Sequence, residues 1–492
     1  MESHPSKPWW ALAVVVCATA VLAYYPHIDY PYPLHVDEWH HIYEASRLAQ
    51  GEYGLHSLAS FEVGYHVFLA LLLKLGVNLV LSYKYLPALF AAASALSAFA
   101  FVYRISGSFR AGLFSVLFLA SLPSNVNLMG MWFATPLTFS IPLIYLALYL
   151  FWAGFEDRDT KALIGAVLAL MVCLLSYPPS AFLIIIVITA YALLNHDRIG
   201  LGRNSAKVLA GSVTALAAVS AAFVLILGKG LGWFAEKLMF PQGWTPLEPG
   251  LASNSQGYTI LGYWVLVSPY LMPILFGVVP FALALTGLYV CLGRRQTLML
   301  PVWLIYSLAT IFVFVNLHFS PLIPYQRMAY FCLLCLAPLA GIGLDASLDY
   351  AQKAFKGWNR YASAAAIVIV LYLTFAGYGH PVKGMELYHL IDDADYAAAV
   401  FLKGQPQGTV LAIPKTASAL PAITSKEVVA DLIFVAGEAE RKDSSDFFMT
   451  DCSGKKTIAD RNKLAYVFSQ TRFDCPGFSL LYSDGRYVYS VT

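Results

Sequence analysis

Apolar runs long enough to cross a bilayer recur along this 492-residue chain, and they limit its fold more than any other feature. A helix needs about 20 apolar residues to span the hydrocarbon core. The first run, from about Pro8 to Tyr25, reads WWALAVVVCATAVLAYY. Others are expected near 84–103, 109–123, 132–153, 162–176, 180–194, 207–227, 270–292, 299–316, 325–344 and 361–379, which makes about eleven. Only 12% of the residues are charged, about half the share in soluble domains. The chain therefore reads as an α-helical polytopic membrane protein. A cleavable signal peptide is the alternative for the first run, with Ala18, Ala20 and Ala23 as its small residues. Cleavage there leaves the next loop on the same side.

Basic residues set the orientation. With the N-terminus in the cytoplasm, the inner loops hold Arg104 and Arg110, then Arg158 and Lys161. They continue with Arg198, Arg203 and Lys207, then Arg294 and Arg295, then Lys353, Lys356 and Arg360. Every short basic loop falls on one side, as the positive-inside rule requires. An odd number of spans then places the tail outside. The expected organisation is a transmembrane domain over 1–379 and a soluble external domain over 380–492, in the plasma (cytoplasmic) membrane.

Residues 26–62 break the apolar pattern with Asp29, Asp37, Glu38, Glu44, Glu52, Glu62 and five histidines among them. That density of charge belongs in water, so the first external loop runs over about 26–83. Pro26, Pro31 and Pro33 exclude a helix at its start. VDEWHHIYEASRLAQG is helical in pattern, with Val36, Trp39, Ile42 and Tyr43 on one face and Gly51 as the stop. It predicts an amphipathic helix in the membrane interface. GYHVFLALLLKLG, residues 64–76, is too short to span and predicts a second interfacial or re-entrant helix.

Asp37–Glu38 is the sharpest chemical signal. Adjacent carboxylates beside His35, His40 and His41 suit a metal ion or a general base, which needs a carboxylate held close to an acceptor hydroxyl. The plain alternative is the solvated face of an interfacial helix. Arg327, in LHFSPLIPYQRMAYF, sits just inside an apolar span, where an unpaired guanidinium is costly. Its planar fork suits a phosphate; snorkelling to the interface is the alternative. His318 is a weaker candidate of the same kind. The external loop 228–258 adds Lys229 and Trp244, residue types that suit sugar faces and lipid headgroups, or an ordinary aromatic belt.

The tail combines charged sequence with short apolar segments, and Ser-Asp-Gly before RYVYSV predicts a closing hairpin in a small α/β domain. Five of the seven cysteines lie in spans. Cys452 and Cys475 lie in the tail, where an external compartment permits a disulfide between them; two free thiols are the alternative. The chain shows no Walker sequence, zinc spacing or G-x-S-x-G elbow. No basic cluster of the kind that binds nucleic acid appears.

One span, a long external loop with an Asp-Glu motif, a short apolar helix, many spans and an external tail form a familiar order. HVDEWHHIYEASRLAQGEY, FEVGYHVFLALLLKLGV and SYKYLPALFAAASALSAFAFVYRISGSFRAGLFSVLFLASLP carry the likeness, with MWFATPLTFSIPLIYLALYLF and PYQRMAYF. The chain resembles the GT-C superfamily of membrane glycosyltransferases over most of 8–345. It is similar to protein O-mannosyltransferases and lipid A aminoarabinose transferases. The WWDYG motif of oligosaccharyltransferases is absent, which disfavours transfer of a whole oligosaccharide to Asn.

The resemblance implies a polyprenyl-phosphate-linked sugar donor and a lipid, glycan or protein acceptor. It implies Asp37 as the catalytic carboxylate, Glu38 supporting it or exchanging roles, and Arg327 as the donor-phosphate ligand. A divalent cation (Mg or Mn) and no metal at all both remain open, with His35, His40 and His41 in the surroundings. Sugar transfer to an acceptor hydroxyl outside, with inversion, is the expected activity. A lipid-linked saccharide transporter and a non-catalytic scaffold are the rivals. Transporters commonly show internal repeats and midplane charges; here no repeat is clear and the charges gather at one surface.

Overall fold

The computed structural model describes residues 8–52, 62–124, 130–195, 272–317, 323, 325–355, 360–375, 389–432 and 438–492. The expected span at 207–227 and the loop 228–258 lie outside the described residues. Helices of ten residues or longer are α1 (Trp9–Tyr24), α2 (Val36–Gln50), α3 (Val63–Lys74), α4 (Leu86–Ser106), α5 (Phe109–Ala120), α6 (Pro136–Glu156), α7 (Thr160–Ser176) and α8 (Pro178–Leu194). They continue with α9 (Val278–Leu292), α10 (Met299–Leu317), α11 (Tyr325–Ala354), α12 (Arg360–Phe375), α13 (Asp393–Lys403), α14 (Glu438–Met449) and α15 (Cys452–Arg461). The strands are β1 (Thr409–Leu411), β2 (Leu464–Ser469), β3 (Phe478–Tyr482) and β4 (Tyr487–Val491).

The chain forms two compact units. One holds Met1–Tyr25, Leu58–Tyr65 and Leu86–Val382; the other holds Pro26–Ser57, His66–Tyr85 and Lys383–Thr492. Four helical stretches among the described residues are long and apolar enough to cross a membrane: Trp9–His27, Leu79–Ser106, Pro136–Glu156 and Arg327–Ala354. Shorter apolar helices accompany them, including α5, α7, α8, α9 and α12. The chain is an integral membrane protein by this count of apolar helices.

α11 is the most enclosed, packed against α9, α5 and α10. Small residues let it approach so closely. A Cβ added at Gly287 of α9 would stand 1.9 Å from the Leu339 carbonyl oxygen, and one at Gly343 of α11 1.9 Å from that of Leu283. Lipid-embedded helices associate through such close approaches, since apolar burial gains little there. At one end of this unit Arg110 pairs with Asp345 at 2.9 Å and with Asp349, and Arg104 pairs with Asp157.

Two spans differ from expectation. The run at 270–292 is broken into Met272–Phe276 and α9, because Gly277 adopts φ +92, a conformation open to glycine. α11 runs on to Ala354, ten residues past the apolar stretch, through a polar extension that carries Asp345 and Asp349.

In the second unit the tail is a small α/β fold. Its sheet has the order β1-β2-β4-β3, with β1 parallel to β2 and the other pairs antiparallel. The expected hairpin is β3–β4. Leu411, Phe447, Ile458, Leu464, Val467 and Tyr489 form the core under the sheet. A disulfide joins Cys452 to Cys475. The first loop packs on the tail: α2 lies against the short helix Leu420–Thr424, and the Tyr30 hydroxyl donates to the Ile391 carbonyl at 2.9 Å.

Candidate active site

The site is built on the start of α2. Pro31 and Pro33 keep the preceding chain extended, and the Trp39 indole donates to the Pro33 carbonyl at 3.1 Å, folding that segment onto the helix. His35 is the N-cap, with φ −105 and ψ 147, and its Nδ1 accepts the Asp37 N–H at 3.2 Å. In return the Glu38 carboxylate accepts the backbone N–H of Leu34 at 2.7 Å and of His35 at 2.9 Å. This reciprocal capping box satisfies donors that the first turn would otherwise leave bare. α2 ends at Gly51, in the left-handed conformation, as its sequence predicts.

The two neighbouring carboxylates meet different surroundings. Glu38 is fully buried and its Oε2 is held by the backbone. Asp37 keeps 23% of its side chain exposed. Its Oδ2 lies 3.4 Å from His35 Nδ1. Asp37 stands in the first turn of α2 as a partly exposed carboxylate, where the helix dipole favours negative charge.

One turn on, α2 turns polar residues inward. His41 and Glu44 are buried along with Val36, Trp39 and Ile42, so its polar face is not simply solvated. His41 Nδ1 lies 3.0 Å from Nε2 of His66 on α3. His66 is fully buried. Burial drives its pKa down from 6.5 to about 3, with the nearby His40 adding to the shift. Burial likewise holds His41 well below its usual value, and lowers His40 against the opposing pull of Glu44, Asp37 and Asp431. Glu62 precedes α3, and the Tyr65 N–H donates to its carbonyl.

A polar cleft of about 370 Å³ also belongs to the second unit, with Asp29, Tyr30, Asp393, Lys415, Gln470 and Arg486 in its wall. Tyr32 donates to Asp393 at 2.8 Å, and Arg486 pairs with Asp392 and Asp395 at 2.5 Å each.

Of the residues singled out from sequence, His35, Asp37, Glu38, His40 and His41 come together on α2. Arg327 lies half-buried in the first turn of α11, in the other unit. His318, Lys229 and Trp244 lie outside the described residues. Sequence reading missed His66 and the tail residues around Tyr30. A histidine inside an otherwise apolar run, as in VGYHVFLA, was the available signal for His66.

Comparison with known proteins agrees with this architecture. Residues 65–224 match the family model for dolichyl-phosphate-mannose-protein mannosyltransferase. A search of curated proteins gives no match. Among solved structures, the chain is similar to the oligosaccharyltransferase of Archaeoglobus fulgidus, with a TM-score of 0.60 and 12% identity over 94% of this chain and 70% of that one. It is similar to ArnT from Cupriavidus metallidurans, with a TM-score of 0.58 and 15% identity over 99% and 98% of the two chains. It is also similar to the arabinofuranosyltransferase AftD from Mycobacteria, with a TM-score of 0.57 and 14% identity over 99% and 42%. Fold and family match agree on one class, a GT-C membrane glycosyltransferase.

Proposed function

We propose that this glycosyltransferase moves a sugar from a polyprenyl-phosphate carrier to an acceptor hydroxyl, with Asp37 as general base. The observation that carries the reading is the division of labour at the start of α2. Glu38 is committed to the helix cap, and Asp37 is left partly exposed beside it. Related structures support the donor class. The Archaeoglobus fulgidus enzyme was solved with a dolichol-phosphate and an inhibitory peptide, and ArnT with undecaprenyl phosphate.

In this reaction Asp37 accepts the acceptor's hydroxyl proton. The oxygen forms a bond to the anomeric carbon, and the bond from that carbon to phosphate breaks, its electron pair leaving with the polyprenyl phosphate. One displacement inverts the anomeric centre. Arg327 holds the leaving phosphate, where a fixed guanidinium counters the growing charge. Glu38 and His35 are positioning residues that hold the turn carrying Asp37. The polar cleft by Tyr30 takes part of the acceptor. The N-terminus is cytoplasmic, the tail is external, and the reaction runs on the external face.

The test is donor turnover by the purified chain in lipid, with a panel of radiolabelled polyprenyl-phosphate sugars. Asp37→Asn is expected to lower turnover at least about a hundredfold, the lower end of what a general base contributes, with donor binding kept. Wild-type turnover in that variant, or no donor consumed by the wild type, would sink the assignment.

A further inference from the structure

The polar cleft of the second unit has a volume of about 370 Å³, at the small end of ligand-sized pockets. Four aspartates, one lysine and one arginine line it, and most of that charge is already used. Asp392 and Asp395 cap α13 reciprocally, each accepting the other's backbone N–H. Their remaining oxygens hold Arg486 at 2.5 Å each, and the third guanidinium nitrogen donates to the Gly485 carbonyl at 2.8 Å. Asp393 accepts the Tyr32 hydroxyl, and the Tyr30 hydroxyl is engaged on both sides by Ile391. Three exposed groups of the wall are left over: the Asp29 carboxylate, the Lys415 ammonium and the Gln470 amide. Among the described residues none of these three side chains makes a hydrogen bond or an ion pair. An ammonium only donates, a carboxylate only accepts, and an amide does both. A ligand that satisfies all three must donate and accept over a short distance, as neighbouring sugar hydroxyls do. The excess of carboxylates over cations in the wall disfavours a phosphate, sulfate or uronate, and the unpaired Lys415 disfavours a cationic group.

We propose that this cleft binds a neutral glycan, a hydroxyl-rich chain without phosphate, sulfate or carboxylate. Asp29 accepts from its hydroxyls, Lys415 donates to them and Gln470 does both. The pairs of Arg486 with Asp392 and Asp395 hold the wall behind them. Residues 29–34 run from the cleft into the cap of α2, so the segment that lines the cleft also leads into the turn that carries Asp37. The glycan's role as acceptor rests on the transfer reaction proposed above; its binding does not.

The experiment uses the full chain in detergent with no sugar donor present. It is applied to an array of neutral oligosaccharides, with sulfated oligosaccharides and lysine-rich peptides printed beside them, and the best binder is then titrated in a calorimeter. The wild type is expected to bind neutral oligosaccharides and to leave the other two classes alone. Asp29→Ala should weaken that binding by about tenfold or more, the loss of one hydrogen bond to a charged group. Gln470→Ala should weaken it by about fivefold. Both residues are exposed, and near-ultraviolet circular dichroism checks that each variant keeps its fold. Asp37→Asn should bind the glycan as the wild type does, which separates this site from the chemistry. The proposal is overturned if the wild type binds no neutral oligosaccharide, if it prefers the sulfated chains or the peptides, or if Asp29→Ala and Gln470→Ala both bind unchanged. A glycan that binds through Asp29 but receives no sugar once donor is supplied would overturn its role as acceptor while the binding site stands.

Discussion

In the spanning unit the tightest joins are backbone against backbone. α9 and α11 meet where Gly287 faces Leu339 and Gly343 faces Leu283, with no room for a side chain. In the second unit the joins are polar and specific. The Tyr30 hydroxyl both donates to the Ile391 carbonyl and accepts the Ile391 N–H. Arg486 grips Asp392 and Asp395, Glu38 takes two backbone donors, and His41 meets His66. The difference follows from solvent. Among lipid tails, close van der Waals contact holds helices together. In the second unit, buried polar groups must find partners within the fold, and those partners fix one arrangement.

The comparison breaks most visibly at the glycines. Gly343→Leu drives a side chain into a backbone carbonyl and should destabilise the spanning unit by about 3 kcal/mol or more. Thermal melting in detergent, read from far-ultraviolet circular dichroism, measures it; an unchanged melt would mean α9 and α11 are not held by that contact. Acid should act on the second unit instead. His66 has a folded pKa of about 3 against an ordinary 6.5. A depressed histidine pKa means the unfolded chain binds the proton first. Its stabilisation is whole above about pH 6.5 and falls as pH drops towards 3. At two units below the ordinary value the loss is about 2.5 kcal/mol. Stability measured against pH should show this slope, and His66→Gln should flatten it.

Sequence legibility divides along the same line. Spans such as α4, α6 and α10 follow from local apolar windows, and α2 follows from its prolines, its periodicity and Gly51. Asp37 and Glu38 were legible as a pair, but their separate fates were not. Which carboxylate closes the cap depends on the extended backbone at Leu34 and His35. His66 was hidden in an apolar run because its partner lies 25 residues away. Tyr30 was hidden because its partner lies 361 residues away, and no window or periodicity reports a contact of that range.

Glu38→Ala tests whether the cap is a polar join of the same kind. It leaves the buried Leu34 and His35 N–H groups without their acceptor and should cost about 2 kcal/mol. Turnover should fall because the turn carrying Asp37 loosens. A positioning role further requires that Glu38→Gln, which keeps an acceptor oxygen, restore most of the stability and turnover. If Glu38→Gln is as inactive as Asp37→Asn while remaining fully stable, Glu38 acts in the chemistry itself.

Tyr30→Phe is the smallest of these changes and separates the two units most cleanly. The ring can keep its stacking on His389, at 3.9 Å between centroids, so only the hydroxyl is lost. Both backbone groups of Ile391 lose that partner, at about 1 kcal/mol. Because the contact joins the first loop to the start of the tail, the effect should be local. Amide hydrogen exchange should quicken around residues 389–392 by about fivefold, the equivalent of 1 kcal/mol, while α9 and α11 keep their protection. Equal loosening of both units would mean they unfold as one body, and the contrast between close packing and polar pairing would then carry no energetic boundary.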